Sequence, residues 1–414
     1  MGPVEADVII VGGGAAGLAT AIVTARRNPR GSVVVVDAGR RPGAKILLSG
    51  GGRCNVTNAV VTPADYRGGS PNVIRRVLRA FPVDRTVEFF RQIGVTLHEE
   101  TGGKLFPDTH RADTVLDALL GEVKRLGVRL LSNARVIHLE RRADRFAVST
   151  STGHLFAPKV VLATGGLSAP ETGCDGSGYR LAKQLGHAIV PTTPALVPLV
   201  LDGDFHKPLS GIAHDAEWTV RIEGTKPIRL RGSMLWTHFG VSGPVVLDAS
   251  RFWHRARLEQ RAVTISVNFL GGADFGTAQG RLIDLACTRP KVLLRNALSS
   301  LVPSRIGQAV LRALGIDPAG PVGQLTRGDR SRLAHALIEW SLPVRDSRGY
   351  AHAEVTAGGV SLSEINPATM ASRKCPGLYL VGEVLDVDGR VGGFNLQWAW
   401  SSAWVAGVAT APPS

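Results

Sequence analysis

Apolar positions gather first at residues 6–11, ADVIIV, a run short enough to be a strand buried on both faces. Six bare residues follow, GGGAAG. LATAIVTARR at 18–27 then has helical composition and ends in basic residues. A second apolar run, GSVVVVD at 31–37, closes a strand-turn-helix-strand unit of the ~30 residues that a dinucleotide fold uses. Beyond it the pattern predicts amphipathic helices over 83–94 and 114–127, the latter stopped by Gly127. Short alternating runs over 128–166 predict a strand meander that returns to the sheet at KVVLATGG. A helix over about 177–186 ends at Gly186, and 190–270 is strand-like and rich in Pro and Gly. Residues 277–340 switch to helical patterning, broken at LGIDPAGPVG. The chain returns to strand at GLYLVGE, 377–383, and finishes on NLQWAWSSAWVAGVA. A helix apolar all round is usually buried, so Trp398, Trp400 and Trp404 read as core packing rather than a stacking platform.

Within the first unit, Gly12, Gly14 and Gly17 satisfy GxGxxG between a strand and a helix. Gly12 makes the turn, Gly14 lets a pyrophosphate approach the backbone, and Gly17 lets helix and strand pack closely. The helix N-terminus then faces the phosphates. Asp37 ends the second strand twenty residues past Gly17, where a carboxylate accepts the ribose hydroxyls of an adenine dinucleotide.

KILLSGGGRCNVTN at 45–58 lies where such a fold brings the chain back across its cofactor. Gly50, Gly51 and Gly52 allow positive φ and contact without a Cβ, Arg53 can neutralise pyrophosphate, and Ser49, Asn55 and Asn58 offer hydrogen bonds. A second cluster, GLYLVGEVLDVDGRVGGFNLQWAW at 377–400, sets Gly382, Glu383 and Asp388 after a buried strand and Gly392-Gly393 before a helix opening at Asn395. In two-segment flavin folds a late strand and helix complete the site, the helix N-terminus favouring anionic reduced flavin.

Composition narrows the field further. Cys54, Cys174, Cys287 and Cys375 are far apart with no CxxC pair, so no zinc site or dithiol motif is expected, and a reducing cytoplasm fits. The N-terminal MGPVEADVIIVGGG lacks a basic leader, and no window of 18 residues is free of charge, so no signal peptide or membrane span is expected. Lys and Arg number 48 against 34 Asp and Glu, a net charge of +14. Such a balance fits a polyanionic partner such as RNA, and equally an arginine-rich composition on solvated faces.

Taken in order, KILLSGGGRCNVTN, ATGGLSAPETG, DGSGYRLAKQLGH, WTHFGVSGPVVLDAS, EVTAGGVSLSEINPATMASR and the 377–407 segment resemble the BaiN/RdsA-like (aminoacetone-oxidase-like) flavoproteins along nearly the whole chain. The resemblance implies an α/β fold: a two-dinucleotide-binding-type, Rossmann-like FAD domain with an inserted β-rich domain and a small helical domain. Expected boundaries are 1–190 and 353–414 for the FAD domain, 191–272 with about 340–352 for the β-rich substrate domain, and 273–339 for the helical insert. It also implies FAD contacts at Gly12, Gly14, Ala15, Ala16, Gly17, Asp37, Lys45, Ser49, Gly50, Gly51, Gly52, Arg53, Cys54, Asn55, Val136, Thr164, Gly165, Gly382, Glu383, Asp388, Gly393, Asn395, Leu396 and Gln397. Members have been linked to reduction of conjugated C=C bonds in steroid-like acids, oxidation of a small amino ketone, and reduction of a ribosomal RNA uridine to dihydrouridine. One departure stands at Cys174-Asp175-Gly176, where the family pattern suggests a Ser-Thr-Gly-type turn.

For chemistry, the expectation is an FAD-dependent oxidoreductase that reduces a conjugated C=C bond, with uridine in ribosomal RNA favoured on charge. A small-molecule oxidase or reductase is the alternative, and a flavin-loaded binding protein without turnover a further one. GGRCN has no second cysteine to make an exchanging pair, so a disulfide reductase is not expected. Cys54 is either a proton donor or a small packed residue. His238, in WTHFGVSGP, is either a general acid or a hydrogen-bonded structural residue. No second GxGxxG follows a strand, so NAD(P)H as electron donor would bind transiently in the substrate cleft.

Overall fold

A computed structural model describes residues 4–411. The chain divides into two compact units, one running to Pro194 and resuming at Glu354, the other spanning Ala195–Ala353.

The first unit is built on a five-stranded parallel sheet in the order Leu378–Leu380, Lys159–Leu162, Val8–Val11, Val33–Val36, Arg129–Leu131. Val8–Val11 and Val33–Val36 are buried at every position, as strands covered on both faces must be. Helix Ala15–Arg27 crosses between them and packs against the C-terminal helix Phe394–Thr410. Contact is close because Gly407 faces Val23; a Cβ there would lie 2.6 Å from the Val23 Cβ. Trp398 and Trp400 are buried and their indole N–H groups donate to the Gly382 and Val56 carbonyls, so they are core, as the apolar pattern predicts. The 128–166 meander forms strands Val136–Arg142, Arg145–Thr150 and Gly153–Ala157 before Lys159–Leu162 joins the parallel sheet.

A three-stranded antiparallel sheet, Thr57–Asn58, Lys104–Pro107 and Leu97–Glu100, follows the second glycine run.

The second unit holds a seven-stranded sheet, antiparallel at every pairing, whose long members are Ala213–Ile222 and Ile228–Thr237. Its strands and its helices Phe275–Thr288, Leu294–Leu298, Ser304–Ala313 and Arg327–Ile338 share one apolar core that contains Trp218 and Trp236. Within the strand-like stretch 190–270, residues Pro244–Leu258 are helical. The Gly and Pro of VSGP mask a helical repeat: Val245, Val246, Ala249, Trp253 and Ala256 are buried, and Pro244 opens the helix where its missing N–H costs nothing.

Candidate cofactor site

The first glycine turn is held by contacts that a side chain would break. Gly12 has φ +103, and a Cβ there would lie 2.4 Å from the Ala163 carbonyl oxygen; a Cβ on Gly17 would lie 1.8 Å from the Gly12 oxygen. Gly14 is different. It has ordinary extended φ and ψ of −78° and −169°, and a Cβ on it would meet nothing within 4 Å. The space above Gly14 and the first turn of Ala15–Arg27 is therefore a cradle that the protein itself leaves unfilled, at a helix start with no side-chain cap. Asp37 closes its side: its two carboxylate oxygens accept the N–H groups of Gly13 (2.6 Å) and Gly39 (2.7 Å).

The second glycine run winds left-handed through three residues, with φ of +58° at Gly50, +68° at Gly51 and +84° at Gly52. All three are exposed, but a Cβ on Gly50 would lie 2.8 Å from the Asn55 nitrogen and 3.0 Å from Phe106, whereas one on Gly51 would meet nothing within 4 Å. The turn closes on Ser49, whose carbonyl accepts the Cys54 N–H at 2.9 Å and whose hydroxyl donates to Ile46.

Lys45 joins the two chain ends. Its Nζ donates to Glu383 and to Ser168, both at 2.6 Å, and Glu383 also accepts from Ser168 and the Thr356 N–H. Burial pulls the Lys45 ammonium down, but Glu383, with Cys174 and Glu354 nearby, more than offsets this and holds its pKa above the usual value. Beside this network, a Cβ on Gly165 would lie 2.8 Å from the Cys174 sulfur, and Thr164 Oγ1 is buried with no hydrogen-bond partner. In the departing turn, Asp175 accepts from the Ser177 N–H and pairs with Arg135 just before helix Ser177–Gln184, whose cap is Gly176.

The helix Phe394–Thr410 opens at Gly393, φ +92, where a Cβ would lie 2.5 Å from the Thr57 carbonyl and 2.9 Å from Asn55 Oδ1. That Asn55 oxygen is buried without a partner. Asn395 folds its side-chain amide back onto both backbone groups of Gly389, and Leu396 is half-buried beside it.

Several expected contacts are placed elsewhere by the packing. Gln397 is wholly buried, and its amide is saturated by Thr57, Thr86, Phe81 and Ser401, so it anchors the helix inside the protein. Cys54 is 0% exposed with φ +60, and burial pushes its thiol up to about 12. That placement fits the packed alternative for Cys54 rather than the proton donor. Arg53 points away from a free anion, because Glu100 takes its guanidinium at 2.7 Å and Phe106 lies under it at 4.1 Å. Asp388 is buried in the Val387–Gly389 strand, Val136 is buried at the start of its own strand, and Ala16 and Gly382 are buried against each other. His238 lies in the second unit, exposed on the turn between Ile228–Thr237 and Gly240–Ser242, with its ring against Phe239. The exposed or half-exposed remainder, Gly12, Gly14, Ala15, Asp37, Lys45, Ser49, Gly50 to Gly52, Thr164, Gly165, Glu383, Gly393, Asn395 and Leu396, could line a cofactor. Sequence reasoning missed Ser168 and Thr356, which fix Glu383, although both stand in quoted motifs, ATGGLSAPETG and EVTAGGVSLSEINPATMASR.

The chain is similar to known proteins along nearly its whole length. The model of the HI0933-like protein Rossmann domain matches residues 6–409. The chain belongs to that family. Among relatives of the HI0933-like chain is the Escherichia coli K12 ribosomal RNA dihydrouridine synthase, 36% identical over 96% of each chain. The 3-dehydro-bile acid delta(4,6)-reductase of Clostridium scindens is 33% identical over 97% of this chain and 98% of that one. Among solved structures, E. coli quinol fumarate reductase FrdA aligns over 99% of this chain and 70% of its own at a TM-score of 0.52 and 16% identity, a likeness of fold alone. This family member is thus a flavoprotein oxidoreductase with a Rossmann-type FAD-binding domain. Among the described residues no helix is long and apolar enough to cross a membrane.

Proposed function

We propose that this chain is an NAD(P)H-driven, FAD-dependent reductase of a conjugated C=C bond, and that its substrate is a uridine in ribosomal RNA. The observation that carries the reading is the likeness, over at least 96% of this chain, to two relatives named ribosomal RNA dihydrouridine synthase, at 36% and 32% identity. The net charge of +14 supports it, since phosphate neutralisation rewards a basic protein. The bare space at Gly14, the orphaned oxygens of Asn55 and Thr164, and the exposed backbone of Gly51 and Gly52 suit a large, hydrogen-bonding cofactor such as FAD.

In this reading the N-terminus of Ala15–Arg27 would hold the pyrophosphate, Asp37 would hold the ribose, and the backbone of Gly50 to Gly52 would contact the cofactor. Lys45 and Glu383 lock the two FAD-binding segments together. FAD, once reduced by NAD(P)H, would supply the hydride, and a proton would complete reduction of the double bond. His238 is the candidate that remains for the proton, being an exposed imidazole, whereas Cys54 is sealed. A His238→Ala chain that reoxidises its reduced flavin with substrate at the native rate would remove it from that role. NADPH and NADH both failing to bleach the flavin anaerobically would remove NAD(P)H as donor.

The test of the whole is nucleoside mass spectrometry of ribosomal RNA from cells with and without the gene. Dihydrouridine lost on deletion and restored by the intact gene is the expected result. An unchanged signal would favour the second reading, a reductase of a small unsaturated acid, which rests on the 33% identity to the bile acid reductase.

A further inference from the structure

We propose that His98, Glu100 and His110 form a site for a first-row divalent metal, Zn2+ above all, on the three-stranded sheet beside the second glycine run. His98 and Glu100 are two residues apart on the Leu97–Glu100 strand and so share one of its faces. The partner strand Lys104–Pro107 pairs Phe106 with His98, and the turn after it, closed by the His110 N–H on the Pro107 carbonyl at 2.8 Å, carries His110 back to them.

The two distances to Glu100 match those between neighbouring ligands of a coordination sphere. His98 Nε2 lies 3.5 Å from Glu100 Oε1, and His110 Nδ1 lies 3.6 Å from the same oxygen. Zinc bonds of 2.0–2.2 Å at tetrahedral angles put neighbouring ligand atoms about 3.3–3.6 Å apart. One ligand atom from each residue falls within 4.8 Å of the others.

A second, independent feature is the partner of His98. Its Nδ1 lies 3.2 Å from Asp108 Oδ1, the carboxylate-histidine arrangement that fixes the tautomer of metal-bound imidazoles. With the proton on Nδ1, the Nε2 lone pair faces the Glu100 oxygen, an acceptor facing an acceptor. That pairing is favourable only with a cation or a second proton between them. Arg53 supplies part of the compensation through its 2.7 Å bond to the same Glu100 oxygen, and shifts to the other carboxylate oxygen when a metal binds. With His110 53% exposed, an ion can enter from solvent and keep a water as fourth ligand.

The experiment uses the purified flavin-loaded chain, stripped of metal by a chelator, and titrates Co2+ by its visible bands and Zn2+ against a chromophoric chelator. One equivalent per chain with micromolar or tighter affinity is expected, without the intense near-ultraviolet band of cobalt-thiolate. The double variant His98→Ala/His110→Ala should lose it, and Asp108→Asn should weaken it about 10–100-fold. The flavin spectrum and melting temperature check folding. Should the double variant fold poorly, His110→Asn tests the same point, since Asn tolerates the left-handed φ of +53 found there. Wild-type binding no tighter than millimolar, or equal binding by the histidine variants, overturns the site and leaves a hydrogen-bonded histidine cluster.

Discussion

The two glycine turns of the first unit look alike in sequence and differ in what their bareness serves. In GGGAAG the glycines at 12 and 17 are demanded by the protein: a methyl group on either would enter backbone, at 2.4 and 1.8 Å. In SGGG the fold makes that demand only of Gly50, while Gly51 and Gly52 stand exposed with nothing, or almost nothing, against them. Gly14, inside the first turn, belongs with the second kind: it is open and its dihedrals suit any residue. Glycines of the first kind are explained by packing. Those of the second are left for a surface the protein does not itself provide, and only they argue for a ligand.

Substitution separates the two kinds. The largest effect is expected at Gly17: Ala there must displace the Gly12 carbonyl or the helix, at a cost on the order of 3–5 kcal/mol, read as a lowered denaturation midpoint or loss of soluble protein. A Gly17→Ala chain of native stability would mean that the turn is not held as described. Next comes Gly14→Val. Its side chain would occupy the cradle without meeting protein, so stability in the flavin-free form should change by less than about 1 kcal/mol while FAD affinity falls at least tenfold, about 1.4 kcal/mol. Native FAD affinity in that variant would sink the cradle reading.

How far this division could be read beforehand follows from the range of the forces involved. The strands, the first turn and Asp37 were legible because apolar runs and glycine spacing act over a few residues. The helix Pro71–Ala80 was passed over, and Pro244–Leu258 was hidden by its Gly and Pro flank. The Lys45–Glu383 pair joins residues 338 positions apart, and no local pattern announces it. Gln397 and Arg53 were expected at the cofactor on chemical type; their partners, the Phe81 carbonyl and Glu100, come from distant segments and claim them first. The His98, Glu100 and His110 set was overlooked for a related reason, since its third member arrives by a hairpin and not by motif spacing.

A smaller effect is expected at Gly51. Its φ of +68 is costly for a side chain, so Gly51→Ala should destabilise by about 1–2 kcal/mol even though its Cβ would meet only solvent. Gly51→Asn, which visits that region more readily, should recover part of the loss; equal losses would show that space, not conformation, limits the position.

The smallest effect belongs to Cys54, which the second turn seals in. Burial favours the neutral thiol and raises its pKa from about 9 to about 12. The folded chain therefore keeps the full benefit below the pKa of an unfolded thiol and loses it progressively as pH rises past 9 toward the folded value. Between pH 7 and 9 the thiol should resist alkylation in the folded chain and react at once in denaturant. Cys54→Ser should then cost stability modestly, by about 1 kcal/mol, and leave the rate at which substrate reoxidises reduced flavin unchanged. A tenfold slower reoxidation would return the thiol to the chemistry and show that the glycines above it open during turnover.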